Sequence, residues 1–264
     1  MSDTIKAFTG RPIQFEDICK VYPPTINQIL DIPNFFTQMG VFIVQEEDLW
    51  DEYNLAQEAE DPQHKWKLPE DRPTPFMLLL LQYMGSAEFR ETITSAFKTF
   101  TKEEILIIPN LPYIIILNEE VQKALKAGSF EGLNEKSFKI INEENYHEFQ
   151  NCIRAATGMS PVARPDRTKH PKVLRMEALA RIRDKRKKKN STDMQTTLSA
   201  ICCMGIGITP LNIGELTYAS LNSLMEMYLQ KEAFTQQSTS ASMGMLDMSK
   251  HEFKHWISNP NEDQ

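Results

Sequence analysis

The chain is poor in the residues that mark several protein classes. Four cysteines (Cys19, Cys152, Cys202 and Cys203) in 264 residues are too few for a disulfide scaffold. None shows a C-x-x-C spacing, and Cys202 and Cys203 are neighbours, an arrangement that rarely suits disulfide geometry. They read as small buried apolar residues in a reducing compartment. Glycine numbers 10 and proline 15, which excludes collagen-like and low-complexity chains. The most apolar run, Phe76-Met-Leu-Leu-Leu-Leu81, stops at Gln82. A membrane span needs about 20 residues, so the run reads as buried helix. Residues 1–8 have no basic segment leading into an apolar one, so no signal peptide is expected. These absences point to a cytoplasmic protein with no membrane partner.

What is present is a globular composition, 41% hydrophobic and 25% charged, with charge that is segregated. The net charge is −7, yet residues 164–190 hold twelve Lys and Arg against three acids. The chain on either side of this segment is acidic. An acidic body, a basic connector and an acidic tail form a modular pattern. The expected division is an α+β domain over 1–157, a Pro-containing linker and basic helix over 158–190, and a helical, Met-rich C-terminal module over 191–264.

Local signals place the elements. Pro12–Phe15 and Ile18–Tyr22 read as a small hairpin closed off by Pro23-Pro24. Thr25 starts a helix expected to run to about Phe42, and Glu46–Ala59 starts another. Residues 61–73 form a polar, Pro-punctuated loop. Thr74 caps the next helix with Pro75 at its first position, and a further helix covers Glu88–Phe100. Ile105–Ile108 and Tyr113–Leu117, joined by a Pro/Asn turn, read as an antiparallel hairpin covered by helices on both faces. Phe138–Ile141 is a further strand, and Asn142 caps a helix over Glu143–Thr157. The class is α+β, mostly helical, with short antiparallel hairpins.

Beyond Gly158 the reading is a linker to residue 171, then a basic helix over 172–189. Val173, Met176, Ala180 and Arg183 give it a thin apolar stripe. Thr196–Met204 forms a helix ended by Gly205 and Gly207. The next helix is expected to start with Asn212 as cap, Glu215 completing a capping-box relative and Leu211 stapled onto Leu216. Leu221, Leu224, Met225, Tyr228 and Leu229 then mark one buried stripe. Gln236–Ser242 reads as a loop or frayed turn.

Three features bear on chemistry. His251-Glu-Phe-Lys-His255 has the H-E-x-x-H spacing that lets two His on one helix face bind zinc, with Glu252 as general base. Only Glu262 and Asp263 follow as acidic ligands, beyond Pro260, so His251 and His255 are weak metal candidates. No cofactor is expected, and no catalytic residue is assigned. The twelve cations of 164–190 could hold a phosphate backbone, but no aromatic residue lies among them to stack a base. The segment reads first as a solvated connector helix. As a binding element, its favoured partner for Lys185, Arg186, Lys187, Lys188 and Lys189 is an acidic protein surface rather than nucleic acid. Seven of the 13 Met fall between Met194 and the end, which suits either an adaptable helix-binding surface or ordinary core filling.

Four stretches together resemble a known protein type. They are Val21-Tyr-Pro-Pro-Thr25, Ile141-Asn-Glu-Glu-Asn-Tyr-His-Glu-Phe-Gln150, Ile201-Cys-Cys-Met-Gly-Ile-Gly-Ile-Thr-Pro-Leu-Asn-Ile-Gly-Glu-Leu-Thr-Tyr218 and the terminal His255-Trp-Ile257. They are similar to tail assembly chaperones encoded among the tail-morphogenesis genes of phages and prophages of Gram-positive bacteria. The resemblance implies a non-enzymatic protein that coats the tape-measure protein until tail tube subunits replace it. It also implies a protein partner, tape-measure or tail tube, with a homo-oligomer as a further arrangement. The partner-binding residues would be Val173, Met176 and Lys185–Lys189 on the connector, and Leu221, Leu224, Met225, Tyr228 and Leu229 on the tail. The competing readings are a structural tail or baseplate component, a zinc hydrolase through His251, Glu252 and His255, and a nucleic-acid-binding protein through residues 164–190.

Overall fold

The computed structural model describes residues 2–66, 73–108, 111–127, 138–162, 169–188 and 194–243. Helices dominate, with two small antiparallel sheets among them. The chain opens with a short helix, α1 (Asp3–Phe8), capped by the Ser2 hydroxyl. No helix is expected there from the sequence. Strands β1 (Ile13–Phe15) and β2 (Cys19–Val21) form the expected hairpin, with Ile13 opposite Val21 and Phe15 opposite Cys19. Their alternating burial turns Ile13, Phe15, Cys19 and Val21 inward.

Thr25 caps α2 (Ile26–Asp31) in a reciprocal capping box with Gln28. The helix does not continue to Phe42 as expected. Pro33 forces the preceding Ile32 into extended backbone, and Asn34 then takes a left-handed conformation (φ 58°). A separate helix, α3 (Phe35–Ile43), follows. Next come α4 (Glu46–Glu60), α5 (Pro75–Gly85) and α6 (Ala87–Thr101), and the Thr74 hydroxyl caps α5 as the sequence indicated. A three-stranded sheet, β3 (Glu104–Ile107), β4 (Tyr113–Leu117) and β5 (Lys139–Asn142), has β4 in the middle. Helix α7 (Glu119–Ala127), which the sequence did not suggest, lies against β4. Ile114 and Ile116 are buried on one face of β4 and Ile115 on the other, so this strand is covered on both sides. Asn142 then caps α8 (Glu143–Ala156) through a box with Asn145.

The core is aromatic. Phe42 meets Phe97 edge-on at 5.0 Å and Phe149 at 5.5 Å, while Phe97 stacks on Phe149 at 5.4 Å. Each such ring pair adds about 0.5–1.5 kcal/mol beyond area burial. Of the cysteines, Cys19 is buried, Cys152 and Cys202 are half-buried, and Cys203 is exposed, so the buried-apolar reading fails for Cys203. Burial pushes the Cys19 and Cys152 thiols up to about 12.

The C-terminal elements return to this core. After α9 (Pro171–Lys188) and α10 (Met194–Cys203), a 3-10 turn (Ile213–Glu215) leads into α11 (Tyr218–Ser242). Asn212 does not cap the helix as expected. Asn212 instead accepts from the Thr209 amide, Leu211 is 96% exposed rather than stapled, and Thr217 caps the helix. Long-range pairing decides this. Thr217 bridges Thr25, the Ile26 amide donates to the Leu216 carbonyl, and the Tyr218 amide donates to the Pro24 carbonyl. Gln236–Ser242, expected as a loop or frayed turn, is helical.

Candidate partner-binding surface

Helix α9 carries the basic charge, and its two faces do different things. On the inner face, Arg175 donates from Nη2 and Nε to Glu58 at 2.8 and 3.1 Å. Arg181 makes a bidentate pair with Asp51, both contacts at 2.8 Å. Glu58 and Asp51 lie two turns apart on α4, and the reversed order of the pairs makes α9 antiparallel to α4. Fully buried Ala178 sits between the two arginines. The hydrogen bonds from Arg175 and from the Trp66 indole hold the Glu58 carboxyl below its ordinary range. The hydrogen bond to Asp51 raises Arg181 further.

The basic connector therefore docks on an acidic helix of its own chain. The residues that set its register are not those expected. Val173 is 43% and Met176 71% exposed, and Ala180 and Leu179 are exposed as well, so the apolar stripe faces outward. The reason is composition. Arginine pairs can be formed only where α4 offers carboxylates, and satisfying them turns Val173, Met176 and Leu179 away. The side chains of Lys185, Arg186, Lys187 and Lys188, and Lys189 altogether, lie outside the described residues.

Helix α11 is rooted at its start and projects beyond it. The Thr217 hydroxyl donates to the Ala7 carbonyl, the Ser220 hydroxyl donates to the Phe8 carbonyl, and the Asn222 amide donates to the Thr157 carbonyl. Gly158, at φ +73°, lets the backbone pass so close that a Cβ there would sit 2.9 Å from the Ala219 Cα. Ala219, Ser220 and Leu221 are the buried residues of the helix. Of the expected stripe, Leu221 is buried, Leu224, Met225 and Tyr228 are half-buried, and Leu229 is 59% exposed. The stripe is real, but α1, α8 and α10, against which α11 rests, cover only its first turns. Met227 and Met243 are also exposed along the arm.

A second feature escaped sequence reading. A cavity of about 400 Å³ opens where α4, α5 and α8 begin, bounded by Phe42, Phe76, Tyr146, Gln150, Arg154 and Glu47 among others. Its walls come from four separated stretches of chain. The only local signal is the polar stripe Glu143, His147, Gln150 and Arg154 along α8. The His251–His255 motif lies outside the described residues, and among those described no group of three His, Cys, Asp or Glu could hold a metal ion. No described helix is long and apolar enough to cross a membrane.

No curated protein and no solved structure matches the chain. Residues 185–261 match a family described as the YomV second domain. The matched stretch takes in α10, the 3-10 turn and α11, the elements that root and project the arm. The C-terminal portion of the chain is thus similar to a YomV-like domain.

Proposed function

We propose that the chain is a non-enzymatic phage morphogenesis protein, a tail-assembly chaperone acting in the host cytoplasm. It holds a long helical partner, the tape-measure protein foremost and the tail tube protein second. The observation that carries this reading is α11. A helix with three buried residues at its start and a polar, Ser- and Thr-rich end is marginal in water on its own. Such a helix gains its stability by packing against something. Leu229, Met227 and Met243 supply an apolar grip of the helix-in-groove kind. The outward ridge of α9, Val173, Met176 and Leu179, offers a second strip on the same chain. The likeness of residues 185–261 to the YomV second domain supports a phage setting.

The test is co-expression of the full chain with the tape-measure and tail tube proteins of the same genome, followed by affinity capture. Capture of tape-measure protein by the full chain, lost on removing residues 226–264, is the expected result. Replacing Lys185, Arg186, Lys187, Lys188 and Lys189 by Glu should slow association more than it speeds dissociation. Undiminished capture by the shortened chain would overturn the reading. Salt-sensitive retention of DNA by the full chain would replace it with nucleic-acid binding through residues 164–190.

A further inference from the structure

The seam between the body and the C-terminal elements leaves an apolar patch that the partner-binding reading does not use. Residues 24–26 and 216–218 are stitched together by two backbone hydrogen bonds and the Thr25–Thr217 bridge. The Asn27 side chain on α2 fills the space that a Cβ on Gly214 would take, so α2 lies directly against the 3-10 turn. Leu30 stands one turn further along that face of α2 and is 64% exposed. At the start of α3, Phe36 meets the Tyr218 ring at 6.1 Å and still leaves 49% of its surface in solvent. From the C-terminal side of the seam come Ile206, half of it exposed, and Leu211, almost all of it exposed. Leu211 is held out rather than frayed. Pro210 fixes the backbone before it, and the Leu211 amide donates to the Thr209 hydroxyl at 3.3 Å. Asn212 accepts from the Thr209 amide at 2.7 Å and donates to the Gly207 carbonyl at 3.1 Å, and buried Ile213 anchors the chain just after. Leu30, Phe36, Ile206 and Leu211 leave on the order of 400 Å² of apolar surface in water, the scale at which a patch marks an interaction site.

Charge decides what covers it. The chain has a net charge of −7, and 25% of its residues are charged. Yet residues 21–45 hold one charged side chain, Asp31, and residues 194–230 hold two, Glu215 and Glu226. Neither stretch contains a Lys, Arg or His. A charged partner finds almost nothing to pair with there. A second copy fits better, because an isologous contact sets a surface against itself. Elsewhere on the acidic body that would oppose like charges, whereas an apolar, charge-poor patch is self-complementary. Two such patches face to face, with their polar rims, remove on the order of 1,000 Å², the floor for a specific interface. We propose that this patch joins two copies of the chain about a two-fold axis, with Leu211 of each copy packed against Leu30 and Phe36 of the other. The expected dimer is a weak one, with a Kd on the order of micromolar. Helix α11 starts at Tyr218 beside the patch, so the pair brings two arm roots together. Two arms on one long helical partner raise avidity without any new contact. That consequence rests on the arm reading, and the dimer itself does not.

Sedimentation velocity of the full-length protein over a concentration series tests it, under reducing conditions because Cys203 is exposed. The expected result is a monomer–dimer equilibrium that added salt does not weaken, since the interface holds no ion pair. Leu211→Glu and Leu30→Glu, both at exposed positions, should keep the folded circular-dichroism spectrum. Each should weaken the dimer by about thirtyfold or more, the effect of losing one hot spot. Leu81→Glu, the same change at an exposed position of α5, should leave the dimer as it was. A monomer at concentrations well above micromolar, a dimer indifferent to both patch variants, or one weakened equally by Leu81→Glu would overturn the proposal. Capture of tape-measure protein by the same variants keeps the two readings apart. Leu211→Glu should still capture it through the arm, though more weakly. A chain that dimerises through the patch and captures nothing would contradict the arm reading and leave the dimer standing.

Discussion

The two ends of α11 obey different physics although one helix joins them. The first turns are tied to α1, α8 and the Pro24–Ile26 segment by hydroxyl, amide and backbone bonds that span most of the chain. The distal end exposes Met227, Leu229 and Met243 between polar side chains, with Tyr228 and Phe234 half-buried. One end is part of the core, and the other is largely exposed. Helix α9 repeats the contrast across its width, with arginines pinned to α4 on one face and Val173 and Met176 bare on the other. A charged or amphipathic helix can thus be anchored by its polar side, leaving its apolar side exposed.

The largest expected effect comes from disturbing the root. Gly158→Val places a Cβ against the Ala219 backbone at a left-handed φ. It should destabilise the fold by about 2–4 kcal/mol, read by urea denaturation. A change within error would mean that the root of α11 is loose. Removing residues 213–264 should likewise unsettle residues 1–157, because Ala7, Phe8, Pro24 and Thr157 would lose their partners.

A middle-sized effect should follow from breaking the inner face of α9. Arg181→Met leaves the nearly buried Asp51 carboxylate without its bidentate donor. The cost should be about 1.5–3 kcal/mol, since charge-assisted bonds carry that much. The neighbouring Arg175–Glu58 pair should reveal itself through pH. The folded Glu58 pKa is lowered, so its contribution is complete above the ordinary Glu pKa and disappears as pH falls through the lowered value. The indole nitrogen of Trp66, which donates to Glu58 at 2.7 Å, should shift in that window. The shift should vanish in Arg175→Met if the arginine holds the carboxylate there.

The smallest effect on stability belongs to the arm. Gln237→Pro should cost about 3 kcal/mol of local helix. It should move global stability by less than about 0.5 kcal/mol, the range of surface changes uncoupled from the core. The same variant should lose the captured partner.

Much of the fold was legible where the cause is local. The Thr25 and Asn142 caps, Thr74 before Pro75, and the two β-hairpins each depend on residues within a few positions. The Pro33 break in the expected Thr25–Phe42 helix is equally local, since proline restricts the preceding Ile32 to extended backbone. The errors elsewhere have long-range causes. Helix α1 is short, and its carbonyls at Ala7 and Phe8 meet hydroxyls more than two hundred residues away. Asn212 and Glu215 imitate a capping box, but the true start at Thr217 is fixed by pairing with Thr25. The basic segment was visible, whereas the choice of Arg175 and Arg181 depends on Glu58 and Asp51 on another helix. The cavity left almost no trace, because no single segment contains its walls.

Hydrogen exchange along α11 in the isolated full-length protein tests the central contrast most directly. The account predicts that amides of residues 221–225 exchange only with global unfolding. Those from about residue 230 onward should exchange orders of magnitude faster and become protected when the helical partner is added. Uniform protection to Ser242 in the isolated protein would contradict it, because the arm would then be covered without any partner.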